Sequence, residues 1–512
     1  MTRSSGSLLL FLLASTLLVS AGHISTPDGH LRIEQARAWV EDGSLELPAD
    51  VGNTEHGNIA VTRDGKRYAV YAPGHSIVLV PLLLLARLLE HTSPYDYHYV
   101  AAFFASFVGP VALGLSGWLL YHIALQLRAT ERRALAIAIA LVFGTLALPH
   151  STDGYDHTLE MLFVTGSFYL VLVDRMQIAS GTRWVAVGAG IAAGTALTVR
   201  YNSLLVVPAL GLLCRRRAQF LAGFVPFALA AMAYNAARFG SPFDTGYSLA
   251  WSLERPIAPI AGHAFSIANI PRGLVGLWLS PGKGMLWYSP ILSVAAFGWP
   301  EFARSQKGPA IAAGGTIVAY SLLYASNFAW HGSAWCWGPR YLVPVLPFCL
   351  LGLLGVSLIG RPAKGAVLVV AILSVVIQLP AIVVDYHRAL IERYRENPNA
   401  LDDDGVFFRW AESPLFAQAR EAERIVAPGS RCGGHCEDYI APGRWRTEAR
   451  PASLTMMLDH SIDLNVPNLW WLRMQYEPVS SAVRTLTSIV AVVLFAIAVV
   501  TGYSLCVNAT GR

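Results

Sequence analysis

Runs such as AVLVVAILSVVIQLPAIVV, residues 366–384, hold no charged side chain. Blocks of this kind recur along the chain, and they limit its fold before any motif is considered. Roughly 17–25 apolar residues in a helix are enough to cross a bilayer. Lipid offers no partner to a backbone N–H or C=O, so a spanning segment must be a helix or part of a closed barrel. A barrel would show alternating strands of about ten residues, and the sequence has no such pattern. Charge agrees. Soluble domains carry about a quarter charged residues, whereas Asp, Glu, Lys and Arg make up only 14% of these 512 residues, and mean hydropathy is +0.46. The expectation is an all-α polytopic membrane protein. No basic stripe with interleaved aromatics is present, so nucleic acid is not an expected partner.

Hydropathy predicts about twelve spans. They lie near residues 6–22, 100–125, 134–150, 157–173, 184–199, 202–214, 218–237, 285–302, 309–327, 341–360, 365–385 and 483–507. With this division Arg3, Arg128, Arg132, Arg133, Arg175, Arg183, Arg215, Arg216, Arg217, Arg304, Lys307, Arg361 and Lys364 all fall on one side. The positive-inside rule makes that side cytoplasmic. The first segment, with Arg3, a short apolar core and "VSAG", fits a cleavable signal peptide as well as a short first span. The concordance of the basic loops favours a retained span with both termini cytoplasmic. The apolar block Tyr71–Pro94 breaks this sidedness if counted as a span. It is therefore read as a re-entrant or interfacial helix, started by Pro73 and Gly74 and interrupted by Pro81, with an ordinary span as the alternative.

The predicted organisation is a transmembrane core over residues 1–385, whose external loop 22–98 carries interfacial helices. An extracytoplasmic loop or lid follows over 386–480, then a last transmembrane helix and short cytoplasmic tail over 481–512. The expected location is the inner, cytoplasmic membrane of a cell, with the polar clusters on the extracytoplasmic side.

Four polar clusters fall on that side. In STPDGHLRIEQARAWVE, Thr26 is a helix cap, Pro27 the first helical residue and Asp28 a first-turn acid. Ile33, Ala36 and Val40 share one face and Arg32, Glu34, Arg37 and Glu41 lie on others, which predicts an amphipathic helix on the membrane surface. Asp28 either complements the helix dipole or faces a cavity as a fixed carboxylate. The second cluster is HSTDGYDHTLE, where Asp153-Gly154 reads as a turn and Asp156 and His157 start the next helix. Asp156 is either a cap or, with a carboxylate from another loop, a partner for a hard divalent cation and a phosphate. The third is NFAWHGSAWCWGPRYLVPVLP, with Arg340 at the mouth of a span, where it either snorkels or forks onto a phosphate. The fourth is SPGKGMLWYSP, with Lys283 between glycines. Arg200 and Asn202 interrupt the apolar hairpin of spans five and six, where an ionisable residue is costly and is by default a functional candidate.

Cys214, Cys336, Cys349 and Cys506 lie in or beside spans and read as packing residues. Cys432 and Cys436 fall in the external loop; a disulfide is the first reading there, with a metal site or free thiols as alternatives.

Several of these pieces, in their order and sidedness, resemble the GT-C superfamily of polyprenyl-phosphate-sugar glycosyltransferases. The nearest likeness is to bacterial relatives of protein O-mannosyltransferases and of the lipid A aminoarabinose transferase. The matching stretches are TPDGHLRIEQARAWVEDGSLEL, YAPGHSIVLVPLLLLARLL, YDHTLEMLF, ALTVRYNSLLVVPAL, YNAARFGSPFDTGYS and WGPRYLVPVLPF, within about residues 8–350. One departure stands out: relatives often carry an acidic pair after the first span, and here Gly29 follows Asp28. The resemblance implies a GT-C-like fold and transfer of a sugar from a polyprenyl-phosphate donor to a lipid, glycan or protein acceptor of the cell envelope, at the bilayer surface. It implies Asp28 as the catalytic base. Arg340, Lys283 and Arg200 would bind the donor phosphate. Asp156 and His157 would hold a divalent cation, Mg or Mn, or orient the donor, and His331, Trp335 and Tyr155 would contact substrate.

Two other functions fit a polytopic chain. A transporter or flippase of lipid-linked glycans would place broken helices and polar residues near the midplane, in related halves. Here the polar residues cluster on one face and no repeat is found. A non-catalytic scaffold would be indifferent to Asp28→Asn.

Overall fold

The computed structural model describes residues 3–48, 51, 58–89, 97–176, 183–254, 265–332, 336–357, 360–386, 407–426, 466–476 and 479–510. Among them helix dominates. In chain order these are α1 (Arg3–Leu18), α2 (Pro27–Glu41), α3 (Gly74–Leu89), α4 (Tyr97–Ala105), α5 (Val108–Gln126), α6 (Glu131–Phe143), α7 (Ala147–Ser151), α8 (His157–Met176), α9 (Arg183–Val199) and α10 (Val206–Leu213). They continue with α11 (Arg217–Phe239), α12 (Tyr247–Glu254), α13 (Ile270–Leu279), α14 (Met285–Tyr288), α15 (Ile291–Ser305), α16 (Lys307–Ser326), α17 (Leu346–Leu350), α18 (Gly360–Val383), α19 (Pro414–Val426), α20 (Trp470–Arg473) and α21 (Ser481–Thr510). The described strands form one small antiparallel hairpin, β1 (Ile59–Val61) with β2 (Arg67–Ala69), in register Ile59 to Ala69.

Each of the twelve apolar windows falls on helical structure. Among the described residues five helices, Val100–Gln126, Arg217–Phe239, Lys307–Ser326, Gly360–Val383 and Ser481–Asn508, are long and apolar enough to cross a membrane. The 157–173 window falls on α8, 20 residues long and unbroken but carrying Glu160 and Asp174; several others are shorter or broken. The window at 341–360 is a tight 3-10 turn over Arg340–Val345, then α17, then a second 3-10 turn over Leu351–Gly355. Pro344 and Pro347 lie in this stretch, and proline removes the N–H that a regular helix needs.

One buried cluster joins Leu8 of α1, Leu120 of α5, Leu141 of α6, Phe168 of α8, Phe220 of α11 and Phe348 of α17. Backbones approach closely where side chains are absent. A Cβ on Gly190 of α9 would sit 1.9 Å from the carbonyl oxygen of Phe220, and one on Gly223 of α11 would sit 2.1 Å from that of Val187. The outward faces of α18 and α21 are apolar and bare: Val369, Ile372, Val492 and Phe495 are all exposed. Contiguous exposed apolar surface of this kind suits lipid or a partner, not water.

The helix predicted to lie on the membrane surface is present but buried. Arg32, Ile33, Glu34, Gln35, Ala36, Arg37 and Ala38 are all buried. On one side the hairpin adds Ile59, Ala60 and Ala69 to Leu31. On another, Leu79, Leu83 and Ala86 of α3 pack on Ile33 and Ala36. Several of its charges pair within the protein: Arg37 pairs with Glu34 at 2.6 Å and Glu41 with Arg87 of α3 at 2.9 Å. The alternation of polar and apolar residues predicted the helix correctly, but its polar side is covered too. Pro81 does not interrupt α3, which runs through it. The ring sits on the exposed side, where the lost hydrogen bond is the main cost.

The C-terminal end of α1 is closed from far away in sequence. The indole N–H of Trp470 donates to the carbonyl of Leu17 at 2.9 Å and that of Trp471 to the carbonyl of Leu18 at 3.0 Å. The Trp470 backbone N–H donates to the carbonyl of Ser20 at 2.9 Å. These are carbonyls that a helix end leaves without intrahelical partners. Cys214, Cys336 and Cys349 are buried and Cys506 is exposed; Cys432 and Cys436 lie outside the described residues.

Candidate active site

Thr26 caps α2 as the sequence indicates. Its hydroxyl oxygen accepts from the Gly29 N–H at 3.2 Å, and the hydroxyl donates to the carbonyl of Asp153 at 2.9 Å. One side chain therefore both starts the helix and fastens it to the loop 152–156. Glycines at 29 and 154 let the two segments touch. A Cβ on Gly29 would lie 2.5 Å from Cγ2 of Ile24, and one on Gly154, which has φ +81°, would lie 2.7 Å from the same atom. Gly29 thus stands where a longer side chain has no room.

The loop is held rigidly. Asp153 is buried. Its Oδ1 accepts from the Tyr155 N–H at 2.8 Å, while Oδ2 contacts His150 Nδ1 at 2.7 Å and accepts from the Tyr386 hydroxyl. His150 Nε2 in turn donates to the carbonyl of Trp337, 2.7 Å away. The Asp-Gly pair is the turn that was expected, and its carboxylate also ties the loop to the segment that leads to Arg340.

Onto this frame α2 presents two residues one turn apart, Asp28 and Arg32, and the loop presents Tyr155 and Asp156. Asp28 Oδ2 lies 3.6 Å from Arg340 Nη1, and Asp28 Oδ1 accepts from Asn58 Nδ2 at 3.1 Å. The Arg340 guanidinium stacks over the Tyr155 ring, 4.1 Å from its centroid. Such a contact is favourable, more so when water is excluded. Arg340 is buried, yet its Nε and Nη1 make no hydrogen bond.

Beside this pair lies a second. Asp156 Oδ2 accepts from Arg32 Nη2 at 2.8 Å and Oδ1 from Arg200 Nη1 at 2.7 Å. Burial alone would raise the Asp156 carboxyl, but the Arg200 and Arg32 guanidinium groups hold it well below the usual carboxylate range. Arg200 is the extended residue between α9 and the 3-10 turn Tyr201–Leu205. Its Nε lies 3.4 Å from Glu160, which accepts from Ser203 at 2.7 Å and Tyr320 at 2.6 Å. Arg32 also stacks on Tyr71, 3.9 Å from the ring centroid.

The remaining expected residues divide. His157 is buried among Tyr155, Tyr341 and His150, and neither ring nitrogen has a hydrogen-bond partner. Lys283 is fully buried. Its Nζ donates to the carbonyl of Cys336 at 2.6 Å and lies 3.1 Å from the Cys336 sulfur. Burial pushes its ammonium below the ordinary lysine range. It thus grips the turn before Arg340 rather than reaching Asp28. His331 stacks on Phe407 at 4.7 Å, beneath the chain that leads into α19. Trp335 lies outside the described residues.

The expected divalent cation, Mg or Mn, does not fit these carboxylates. Both oxygens of Asp156 are taken by guanidinium groups, and Asp28 already faces a guanidinium and an amide. Among the described residues no three His, Cys, Asp or Glu side chains gather as a ligand set. Three participants escaped the sequence reading: Arg32, Asn58 and Glu160. Arg32 carried a signal, since it lies four residues from Asp28 and so on the same helix face. Glu160 lay within the quoted HSTDGYDHTLE stretch, one turn beyond Asp156. Asn58 carried none.

No family model matches the chain, and no curated protein matches it. Solved structures do. The archaeal oligosaccharyltransferase AglB from Archaeoglobus fulgidus, in complex with an inhibitory peptide and a dolichol-phosphate, has a TM-score of 0.42 at 12% identity, over 88% of this chain and 60% of that one. The Archaeoglobus fulgidus oligosaccharyltransferase tethered to an acceptor peptide gives 0.45 at 11%, over 89% and 60%. Its apo form gives 0.43 at 11%, over 88% and 60%. The chain therefore spans 60% of the length of the solved structures it is similar to.

Proposed function

We propose that this protein is an integral-membrane glycosyltransferase of GT-C type that moves a sugar from a polyprenyl-phosphate donor to a lipid, glycan or protein acceptor on the extracytoplasmic face of the inner membrane. The observation that carries this reading is the Asp28–Arg340 pair, a carboxylate 3.6 Å from a buried guanidinium with two nitrogens lacking hydrogen-bond partners. An unsatisfied buried cation is costly, and a phosphate supplies the missing acceptors in a geometry that suits the guanidinium fork.

In this reading Asp28 takes the proton from the acceptor hydroxyl or amine. The acceptor atom forms a bond to the anomeric carbon as the bond from that carbon to the phosphate oxygen breaks. The electron pair leaves with the polyprenyl phosphate, so the anomeric carbon inverts. Arg340 meets the charge that grows on the phosphate, a placement that usually makes a large catalytic contribution. When donor phosphate engages Arg340, the guanidinium loosens from Asp28 and frees the base. Asp156 acts by orientation, fixing Arg32 and Arg200 along the wall of the site. No step needs a metal held by these residues.

The deciding experiment incubates purified protein with a panel of radiolabelled polyprenyl-phosphate sugars, with and without chelator, and measures polyprenyl phosphate released. Release by the wild type, lowered by about 10²–10⁴ in Asp28→Asn, is the expected result. No release from any donor, or equal release by the variant, overturns the reading.

A further inference from the structure

The end of α8 opposite Asp28 borders a second cationic site. α8 runs 20 residues from His157 to Met176, about 30 Å at 1.5 Å per residue. At that end a groove of about 390 Å³ is lined by Arg175, Leu212, Leu213, Cys214, Arg215 and Arg217.

The acid of this region is already occupied. Asp174 accepts from the Arg216 guanidinium at 2.8 Å and from the N–H groups of Arg215 and Arg216 at 3.0 and 3.1 Å. Arg175, Arg215 and Arg217 are exposed, and among the described residues none of the three pairs with a carboxylate. Two of them are drawn to the same spot by the last carbonyls of α10. Arg175 Nη1 donates to Leu213 at 3.5 Å and Arg217 Nη2 to Leu212 at 3.4 Å. Three arginines thus line one groove, and among the described residues no carboxylate pairs with them. Leu212, in the lining, is 66% exposed, and Met176, which follows Arg175 in the chain, is 58% exposed, so bare apolar side chains accompany the cations.

We propose that this groove binds the phosphate headgroup of an anionic glycerophospholipid. The arginine forks would take the phosphate oxygens, and the acyl chains would run along Leu212 and Met176. The apolar wall is what favours a lipid over free phosphate, because an inorganic anion has no use for it. Basic pockets between spanning helices on the cytoplasmic side suit such headgroups, and the sequence places these arginines on that side.

The test is native mass spectrometry of the full-length protein in detergent, titrated separately with phosphatidylglycerol, phosphatidylcholine and inorganic phosphate. The wild type should retain phosphatidylglycerol in preference to phosphatidylcholine. Arg175→Gln, Arg215→Gln and Arg217→Gln should each weaken retention about fivefold, and the triple variant should lose the preference. Arg304→Gln should leave it intact, since that exposed arginine pairs with Glu301 at 3.5 Å outside the groove. If the triple variant does not accumulate, the three single variants decide. Single variants that bind like wild type, an Arg304→Gln effect of equal size, equal retention of phosphatidylcholine, or displacement by inorganic phosphate at matched concentration would each overturn the proposal. No transfer assay enters this test, so its failure leaves the reading of Asp28 untouched.

Discussion

Asp28 and Arg340 face each other at 3.6 Å, although one opens α2 and the other opens the turn before α17. Neither residue brings its partner alone. Thr26 fastens α2 to loop 152–156, His150 ties that loop to Trp337, and Tyr155 supplies the ring on which Arg340 rests. A carboxylate and a guanidinium fixed this way need little rearrangement when charge develops between them.

Removing the proposed base, Asp28, separates chemistry from folding. Asp28→Asn keeps the shape of the side chain and its contact with Asn58, so the protein should insert and accumulate normally. Turnover should fall by about 10²–10⁴, the usual contribution of a positioned proton acceptor. Single-turnover assays with saturating donor check this, and a variant that turns over at the wild-type rate removes Asp28 from the mechanism.

In the proposed reading Arg340 engages the donor. Arg340→Ala should lower donor use by about 10²–10³, with the acceptor Michaelis constant nearly constant. Arg340→Lys should recover only part, because an ammonium cannot fork onto two phosphate oxygens. Should the acceptor constant be the one that moves, the residue belongs to acceptor binding.

The buried pair of Arg32 and Asp156 should show its cost when only one partner is removed. Their side chains are 1% and 2% exposed. Arg32→Ala should therefore cost about 3–5 kcal/mol, whereas replacing both by apolar residues, Arg32→Met with Asp156→Leu, should recover a large part. Unfolding midpoints in detergent measure this. Equal loss in the single and double variants would show that the pair is not an isolated unit, with Arg200 carrying the difference.

Acid should report the same carboxylate. Burial would raise the Asp156 carboxyl, but Arg200 and Arg32 outweigh it, so it titrates below its ordinary 3.8. A carboxyl lowered in the folded state stabilises in full above its unfolded value and loses that contribution as pH falls. As pH falls below about 4, through the unfolded carboxyl range, the Asp156 contribution should be lost and the thermal midpoint should drop. In Asp156→Asn the drop should be shallower; a steeper one would reverse the assignment.

Gly29 offers a steric test. Gly29→Ala puts a Cβ 2.5 Å from Ile24 Cγ2, an overlap that should cost about 1–3 kcal/mol. Because that overlap pries α2 from loop 152–156, activity should fall with stability. Trimming the obstacle with Ile24→Ala in the same chain should restore some of both, as seen in paired melting and transfer measurements.

Local pattern made α2 readable to its cap: Thr26, Pro27 and Asp28 occupy the positions expected of them. The apolar windows likewise fell on helices, since their periodicity needs no tertiary knowledge. What the helix faces is another matter. Arg32 looked like a solvated side chain because nothing near it in sequence shows that the hairpin, α3 and the loop close over α2. Its partner Asp156 lies 124 residues away. Lys283 shows the converse: the resemblance implied a donor-phosphate ligand, but a backbone carbonyl from the Arg340 segment takes its ammonium. Long-range pairing decides which polar residue meets which, and a single sequence holds no record of it.

The two indoles at the foot of α1 have a consequence for biogenesis. The terminal carbonyls of α1 are closed by Trp470 and Trp471, each 453 residues further along the chain. Until they arrive, the start of α2, and Asp28 with it, is anchored at one end only. The candidate pocket is then aligned only once residues 470 and 471 are in place, and a chain that stalls before them would carry Asp28, Asp156 and Arg340 without that clasp.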